Sequence, residues 1–95
     1  MNKYEIMFIV KSDMESADIN NTAETLKKVL EDNKAKIVEE KQMGQRDLAY
    51  EISKFKTGYY FLYVVEAEAT AVEEFNRVVG INENVLRHLV VKVED

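Results

Sequence analysis

The sequence predicts an α+β fold with the element order βαββαβ. Residues 3–10 and 85–93 have the alternating or apolar character of strands, and two segments between them carry apolar residues at helical spacing. Residues 36–67 contain no helical stripe. Two right-handed βαβ crossovers in this order make a four-stranded antiparallel sheet with both helices on one face. This is the ferredoxin-like split βαβ sandwich, in which the chain itself leaves the other sheet face, the open face, uncovered.

The first part of the chain supplies one strand and one helix. Residues 3–10 alternate with a period of two, and Glu5 marks the odd side as the exposed one. Acidic residues crowd the start of the helix that follows, and Asn33 suits its end. The helix is predicted from apolar residues at i, i+4, i+7 and i+11, which are Ile19, Ala23, Leu26 and Leu30.

A long strand and a hairpin occupy the middle of the chain. Residues 36–52 show no helical period, and Gly44 near their centre is typical of a bulge or a sharp twist. We therefore predict one long, bent strand over these residues. A hairpin through residues 53–58 then leads into a strand at residues 59–67.

A second helix and a last strand complete the order. Thr70 with Glu73 three residues later is the pattern of a capping box, and Gly80 suits the position just after a helix end. Residues 85–93 form the last strand. The apolar stripe of the helix consists of Val72, Phe75, Val78 and Val79.

The length of 95 residues predicts a single domain, and a hydrophobic content of 46% predicts that it is folded. We therefore predict one ferredoxin-like domain spanning residues 1–95. The sequence has no cysteine, which removes disulfides and thiolate chemistry. Its apolar runs are far shorter than the ~18 residues that a membrane helix needs. The first ten residues fit a strand better than a signal sequence. We therefore expect a cytoplasmic protein with no membrane partner.

Charge is distributed unevenly along the chain. The formal net charge of −5 disfavours nucleic acid when it is considered alone. Residues 13–32 carry six acids and two lysines, and residues 66–74 carry four acids and no base, so the remainder is near +3. An acidic helical side and a mildly basic side of strands and loops are therefore predicted to coexist.

The aromatic strand after Gly58 has two interpretations. In an RNA-recognition pattern, Tyr59 and Phe61 would stack on bases at the open sheet face. That pattern requires Gly or Ala between them, where this chain has Tyr60, and burying Glu66 against the helices would be costly. We therefore predict that the odd residues face the helices. The open face then receives Tyr60, Leu62 and Val64.

Few residues are suited to catalysis or to metal binding. His88 is the only histidine, and no Ser or Thr is matched to it as a nucleophile with an orienting group. The scattered carboxylates do not specify a metal site, and the three glycines lie too far apart for a phosphate loop. We predict no enzymatic activity, no cofactor, no metal and no small-molecule substrate.

Basic residues gather around the hairpin. Arg46 follows Gly44, Lys54 and Lys56 lie in the hairpin, and Arg87 is on the last strand. For any one of them, a solubilising charge is the simpler interpretation. As a group on loops and strand ends of an otherwise acidic protein, they are suited to binding phosphates.

The segment GQRDLAYEISKFKTGYY, residues 44–60, resembles the core signature of the sixth protein of the bacterial small ribosomal subunit. The opening Tyr4–Glu5 and the closing residues 84–92 are similar to that family with the same spacing, so the resemblance covers nearly the whole chain. It implies a split βαβ fold without catalytic activity. It also implies binding to the central domain of small-subunit rRNA as a heterodimer with the eighteenth small-subunit protein.

The resemblance also implies roles for particular residues. The implied RNA-binding residues are Arg46, Lys54, Lys56 and Arg87. The residues implied in partner-protein contact or packing are Tyr50, Tyr60 and Leu62. Many members have a second basic residue where this chain has Asp47, and many have proline where it has Glu51. The first departure weakens the local attraction for phosphate.

Two other functions stay open on the residues alone. A regulatory or small-molecule-binding domain of this fold would homodimerise through its open sheet face. A small enzyme such as an acylphosphatase would need a phosphate-cradling loop after the first strand, where residues 11–16 lack the glycines. In an enzyme of this kind we would expect activity to depend on His88.

Overall fold

The computed structural model describes residues 1–93 and confirms the predicted fold class. The strands form one antiparallel sheet in the order β2-β3-β1-β4. The last two residues of the predicted domain, 94 and 95, lie outside the described residues. The elements are β1 (Asn2–Lys11), α1 (Ser16–Asp32), β2 (Lys36–Ile52), β3 (Phe55–Ala67), α2 (Ala69–Ile81) and β4 (Val85–Val93).

The core lies between the sheet and the two helices. On β1 the even residues from Tyr4 to Val10 are buried, as predicted, while Glu5 is exposed. The ring of Phe8 stacks on that of Phe61 on β3 at 5.1 Å between centroids and meets Tyr63 edge-on at 5.4 Å. Burial raises the pKa of the Tyr63 phenol, whose hydroxyl donates to the carbonyl of Ala23 on α1 at 3.4 Å. The aromatic contacts join β1 to β3, and the Tyr63 hydrogen bond joins the sheet to α1.

The first helix follows the predicted pattern. Its stripe of Ile19, Ala23, Leu26 and Leu30 is buried, and Asn33 is its C-cap residue. The Asn33 side-chain amide donates to the carbonyl of Val29 at 2.8 Å, and the backbone N–H of Asn33 donates to the same carbonyl at 3.3 Å. No helix within residues 1–93 is both long and apolar enough to cross a membrane.

The predicted ends of the second helix are wrong, although its apolar stripe is correctly placed. Its N-cap residue is Glu68, so Thr70 lies inside the first turn and cannot form a capping box with Glu73. Gly80 lies within the helix, which ends at Ile81 with Asn82 as its C-cap residue. The Asn82 carboxamide oxygen accepts a bond from the backbone N–H of Asn84 at 2.9 Å. This local turn, rather than a glycine, ends the helix.

The long second strand is confirmed with its predicted bounds, and Gly44 is its bulge. The register against β3 shifts between Gln42 and Gly44, and Gly44 has a φ of +84°, a conformation that glycine adopts without a steric penalty. The bulge increases the local twist of β2.

The hairpin is tighter than predicted. Ile52 pairs directly with Phe55, so β3 begins at residue 55 rather than 59. The two turn residues, Ser53 and Lys54, have φ values of +49° and +72°. Two consecutive positive φ angles match the turn type that suits the twist of a two-residue hairpin, although its usual sequence is Asn-Gly or Asp-Gly. The sequence therefore lacked the usual signal for this turn.

Residues 48–56 form a projection that we call the hairpin arm. The pairing of β1 with β3 ends at Lys11 and Gly58, so the arm extends past the end of β1. The β2–β3 register also shifts between Asp47 and Ile52, where β2 has three residues more than β3. Tyr50 in this shifted part contacts Arg87 on β4, which is the strand at the opposite edge of the sheet. The arm therefore bends across the open face.

Gly58 is needed for this arrangement. A Cβ atom at Gly58 would lie 2.3 Å from Cγ2 of Ile9 and 3.4 Å from Cδ2 of Leu48 in the arm. Ile9 is only 5% exposed, although its neighbours Phe8 and Val10 point to the helices and alternation places Ile9 on the open side. The Ile9 side chain thus fills the space that a side chain at Gly58 would take, beneath the base of the arm.

We expect Gly58→Ala to lower the free energy of unfolding by about 1–3 kcal/mol, because a β-branched side chain at Ile9 cannot move aside without strain. The measurement is urea unfolding. Gly80→Ala is the matched control, since a Cβ there meets nothing within 4 Å and the residue is helical. It should raise stability by up to about 1 kcal/mol. Equal effects of the two substitutions would contradict the proposed clash.

Candidate functional site

Arg46, Lys54 and Lys56 lie together in or beside the hairpin arm, and all three are exposed. Arg46 is opposite Gly58 at the base of the arm, where its Nε donates to the carbonyl of Met43 at 3.3 Å. Lys54 is in the turn at the tip. None of the ion pairs found between residues 1 and 93 involves these three side chains. Their charges are therefore available to an anionic partner.

The arm is only mildly basic. Asp47 and Glu51 are also exposed, so the arm and the two residues before it, residues 46–56, carry three cationic and two anionic side chains. Because exposed charges of opposite sign partly cancel at distances near the Debye length of about 8–10 Å, the field of the arm is weak. This agrees with the sequence-based expectation of modest phosphate attraction.

Arg87 and Tyr50 are in contact, although they were predicted to bind different partners. The Arg87 guanidinium carbon lies 5.2 Å from the centroid of the Tyr50 ring, within the range of a cation–π contact. Tyr50 is 56% exposed, so its ring is also open to a ligand. The pair connects the basic arm with β4, and the two predicted surfaces meet there.

The open face of the sheet has the predicted parity. Phe61, Tyr63 and Val65 are buried against the helices, which leaves the even residues of β3 on the open side. The assignment of Tyr60 and Leu62 to a protein partner stays a prediction. Cross-strand pairing places the outward residues of the three adjoining strands side by side: Tyr60, Leu62 and Val64 on β3, Glu5, Met7 and Ile9 on β1, and Arg87, Leu89 and Val91 on β4.

β4 contributes to this face two apolar side chains that were not predicted from the sequence. Leu89 and Val91 are 53% and 46% exposed, which makes them the most exposed large apolar side chains of β4. The alternation of Arg87, Leu89 and Val91 with the inward residues of β4 was the signal that would have identified them. A contiguous exposed apolar surface of this kind is characteristic of a protein interaction site.

Other polar groups in the described chain are not arranged for chemistry. His88 lies opposite Phe8 on β4 and is half-buried. Residues 1–93 contain no cluster of three or more His, Asp or Glu side chains that is arranged to hold a metal ion. A depression of about 560 Å³ lies between α1 and β2, away from the open face, and Lys27 pairs with Glu40 there at 2.9 Å. We interpret it as a solvated groove lined by ion-paired side chains.

The fold and its two surfaces define a small α+β binding protein, with a basic arm beside an apolar sheet face. The family model described as ribosomal protein S6 matches residues 3–92. The chain belongs to this family, as the resemblance in the sequence indicated.

Individual relatives support the same conclusion. The chain is 46% identical over 95 residues to small ribosomal subunit protein bS6 of Halalkalibacterium halodurans, covering all of both chains. It is 46% identical over 94 residues to bS6 of Shouchella clausii, covering 99% of each chain. The crystal structure of 30S ribosomal protein S6 from Thermotoga maritima matches 97% of this chain and 87% of its own, with a TM-score of 0.93 and 28% identity.

Family membership fixes the general role of the chain. It is a protein of the small ribosomal subunit, located in the ribosome within the cytoplasm, and it belongs to a ribonucleoprotein that serves translation. The family is structural rather than catalytic.

Proposed function

We propose that this chain binds the central domain of small-subunit rRNA and forms a heterodimer with the eighteenth small-subunit protein. The observation that carries the proposal is the presence of two different surfaces that meet at Tyr50 and Arg87. One is the basic hairpin arm and the other is the apolar open face. A polyanion binds to a basic surface, and a protein partner binds to an exposed apolar surface.

The RNA side of the proposal rests on the arm. Arg46, Lys54 and Lys56 are exposed, and none of them is engaged in an ion pair within residues 1–93. A projecting hairpin also reaches into an RNA groove more easily than the flat of a sheet does. Contacts to phosphates position a protein on nucleic acid, and Lys and Arg supply most of them. Arg87 adds a fourth cation at the junction with the open face.

The protein side rests on the open face. Leu62, Leu89 and Val91 line one shallow depression there, together with Met7 and Glu5. Exposed apolar side chains of this density are costly to leave in water and gain free energy when a partner covers them, at about 25 cal/mol per Å² of apolar surface. Tyr60 lies on the same face opposite Ile9. Covering this face is the role we assign to the protein partner.

The two activities are expected to depend on each other. A protein with a net charge of −5 binds RNA weakly alone, whereas a basic partner held on its open face adds a second RNA contact at high effective concentration. We expect the heterodimer to bind a central-domain rRNA fragment roughly a hundredfold more tightly than this chain alone. The measurement is fluorescence anisotropy of labelled RNA at fixed salt, with each protein alone and both together.

Two results would overturn the proposal. One is equal RNA affinity of the lone chain and the mixture. The other is failure of the two proteins to associate in analytical ultracentrifugation. RNA that lacks the central domain is the control for nonspecific binding, because phosphate contacts alone do not distinguish the two fragments.

A homodimer is the competing use of the open face. The exposure of Leu89 and Val91 favours it as well, because two such faces would cover one another. A mass measurement of the purified chain at micromolar concentration separates the two functions. A monomer agrees with the ribosomal heterodimer, and a stable homodimer agrees with the competing function.

A further inference from the structure

The depression at the centre of the open face contains one carboxylate. Its volume is about 180 Å³, and Glu5 shares its lining with four apolar side chains, those of Met7, Leu62, Leu89 and Val91. Glu5 lies directly between Val64 on β3 and Val91 on β4. Its nearest neighbours across the sheet are therefore apolar on both sides.

Glu5 is charged, exposed and engaged in none of the ion pairs found within residues 1–93. Water solvates its carboxylate while the face is free. When an apolar partner surface covers Met7 and Leu89, this water is removed. Burying an unpaired carboxylate in this way costs several kcal/mol, more than the burial of a single apolar side chain returns. A partner that binds here must therefore bring a compensating positive charge.

This requirement distinguishes between the occupants of the face. A second copy of the chain, placed face to face by a twofold axis through the depression, would bring two Glu5 carboxylates into one apolar space, where like charges repel. RNA would bring phosphates towards the same carboxylate. A protein segment with apolar side chains around one cation satisfies both the apolar lining and the charge.

We propose that the centre of the open face receives a segment of the protein partner in which apolar side chains flank a single arginine or lysine, and that this cation pairs with Glu5. The inference rests on the proposed heterodimer and specifies the chemistry of its interface. The apolar flanks cover Leu62, Leu89 and Val91, while the ion pair fixes the position of the segment along β1. Glu5 thus selects the partner as well as anchoring it.

The test compares Glu5→Gln with Glu73→Gln in binding to the purified eighteenth small-subunit protein, by isothermal titration calorimetry. Both variants remove one exposed negative charge, but Glu73 lies on α2, on the opposite side of the sheet. We expect Glu5→Gln to weaken the heterodimer at least about tenfold and Glu5→Lys more strongly, since hydrogen bonds to charged groups contribute about 1.5–3 kcal/mol. Glu73→Gln should bind like the unaltered chain.

Further measurements identify the partner residue that pairs with Glu5. They also distinguish a failure of this inference from a failure of the proposed heterodimer. Replacing each arginine and lysine of the partner by methionine in turn should yield one variant whose effect is lost when Glu5 is already glutamine. Equal affinities of Glu5→Gln and Glu73→Gln, with the unaltered chain still binding, would overturn this inference alone. If the unaltered chain fails to bind the partner, the proposed function fails as well. A homodimer that Glu5→Gln strengthens would assign the face to a second copy and overturn the inference.

Thermal unfolding of each variant supplies the control for folding. Glu5 is exposed and glutamine has the same shape, so we expect the unfolding midpoint of Glu5→Gln to stay within about 2 °C of that of the unaltered chain. Loss of affinity with an unchanged midpoint supports the ion pair. Loss of affinity only in proportion to a lowered midpoint would overturn it.

Discussion

Reversing Arg46, Lys54 and Lys56 to glutamate together should lower the affinity of the heterodimer for central-domain rRNA by roughly a hundredfold or more. Each reversal replaces an attraction to phosphate with a repulsion, and a charge pair at contact distance contributes about 1 kcal/mol in water and more near a protein surface. All three side chains are exposed on or beside the arm, so the fold should tolerate the changes. Fluorescence anisotropy at several salt concentrations measures both the affinity and its salt dependence.

The salt dependence distinguishes lost phosphate contacts from a general change in charge. The slope of log K against log salt concentration should become shallower by about 2–3, because each phosphate contact contributes about 0.7–0.9 to it. Reversal of Lys28, Lys34 and Lys36 is the matched control, since these exposed residues lie near the other end of β2 and the charge change is the same. If both triple variants bind RNA equally well, the arm is not the RNA-binding element.

Phe61→Ala should lower the free energy of unfolding by about 3–5 kcal/mol, while Leu62→Ala on the next position should cost about 1 kcal/mol or less. Phe61 is fully buried, and its ring stacks on Phe8 and lies 5.6 Å from the ring of Tyr59, so truncation leaves a cavity at the centre of the core. Leu62 faces the open side and loses only partly exposed contacts.

Urea unfolding followed by far-UV circular dichroism gives both values, with the dependence on urea concentration as a check on two-state behaviour. Because the two residues are adjacent, their comparison tests which side of β3 faces the helices without other differences in position. Similar losses of stability at both positions would contradict the assignment of Leu62 to the open face. It would also remove one basis for a partner-binding surface.

Much of the fold followed from local patterns. The strand bounds of β2, the bulge at Gly44 and the buried stripe of α1 were all predicted, because period, glycine placement and charge act within a few residues of one another. The parity of β3 was predicted from Glu66, whose charge resists burial. Each of these features depends on residues close to one another in the sequence.

Features that depend on distant residues were not predictable in the same way. The contact between Tyr50 and Arg87 joins the two edge strands of the sheet, and it exists only because the arm bends across the open face. The need for Gly58 also depends on a distant residue, because a Cβ there would clash with Ile9 on the neighbouring strand β1. The sequence alone does not show that the side chains of Tyr50 and Arg87 are in contact.

The basic residues were named from the sequence, but their positions were not predicted. The structure places Lys54 and Lys56 in the hairpin arm and Arg46 beside its base, and their role in RNA binding stays a prediction. Leu89 and Val91 were not predicted as parts of the open face, because their importance comes from neighbours on other strands. The predicted C-terminal end of α2 was wrong for a different reason. Asn82 forms a turn with Asn84, and this turn ends the helix after Gly80.

The strand order has a consequence for how this chain folds as it is made. β1 is synthesised first, yet it lies between β3 and β4 and pairs with residues 58–67 and 85–93. At about 5–20 residues per second, its apolar residues wait several seconds before their last partner strand is synthesised. Closing such long loops is slow compared with forming α1, which is complete within its own segment. β1 therefore has one unpaired edge until β4 has been synthesised, and an unpaired strand edge is a site where other chains can add.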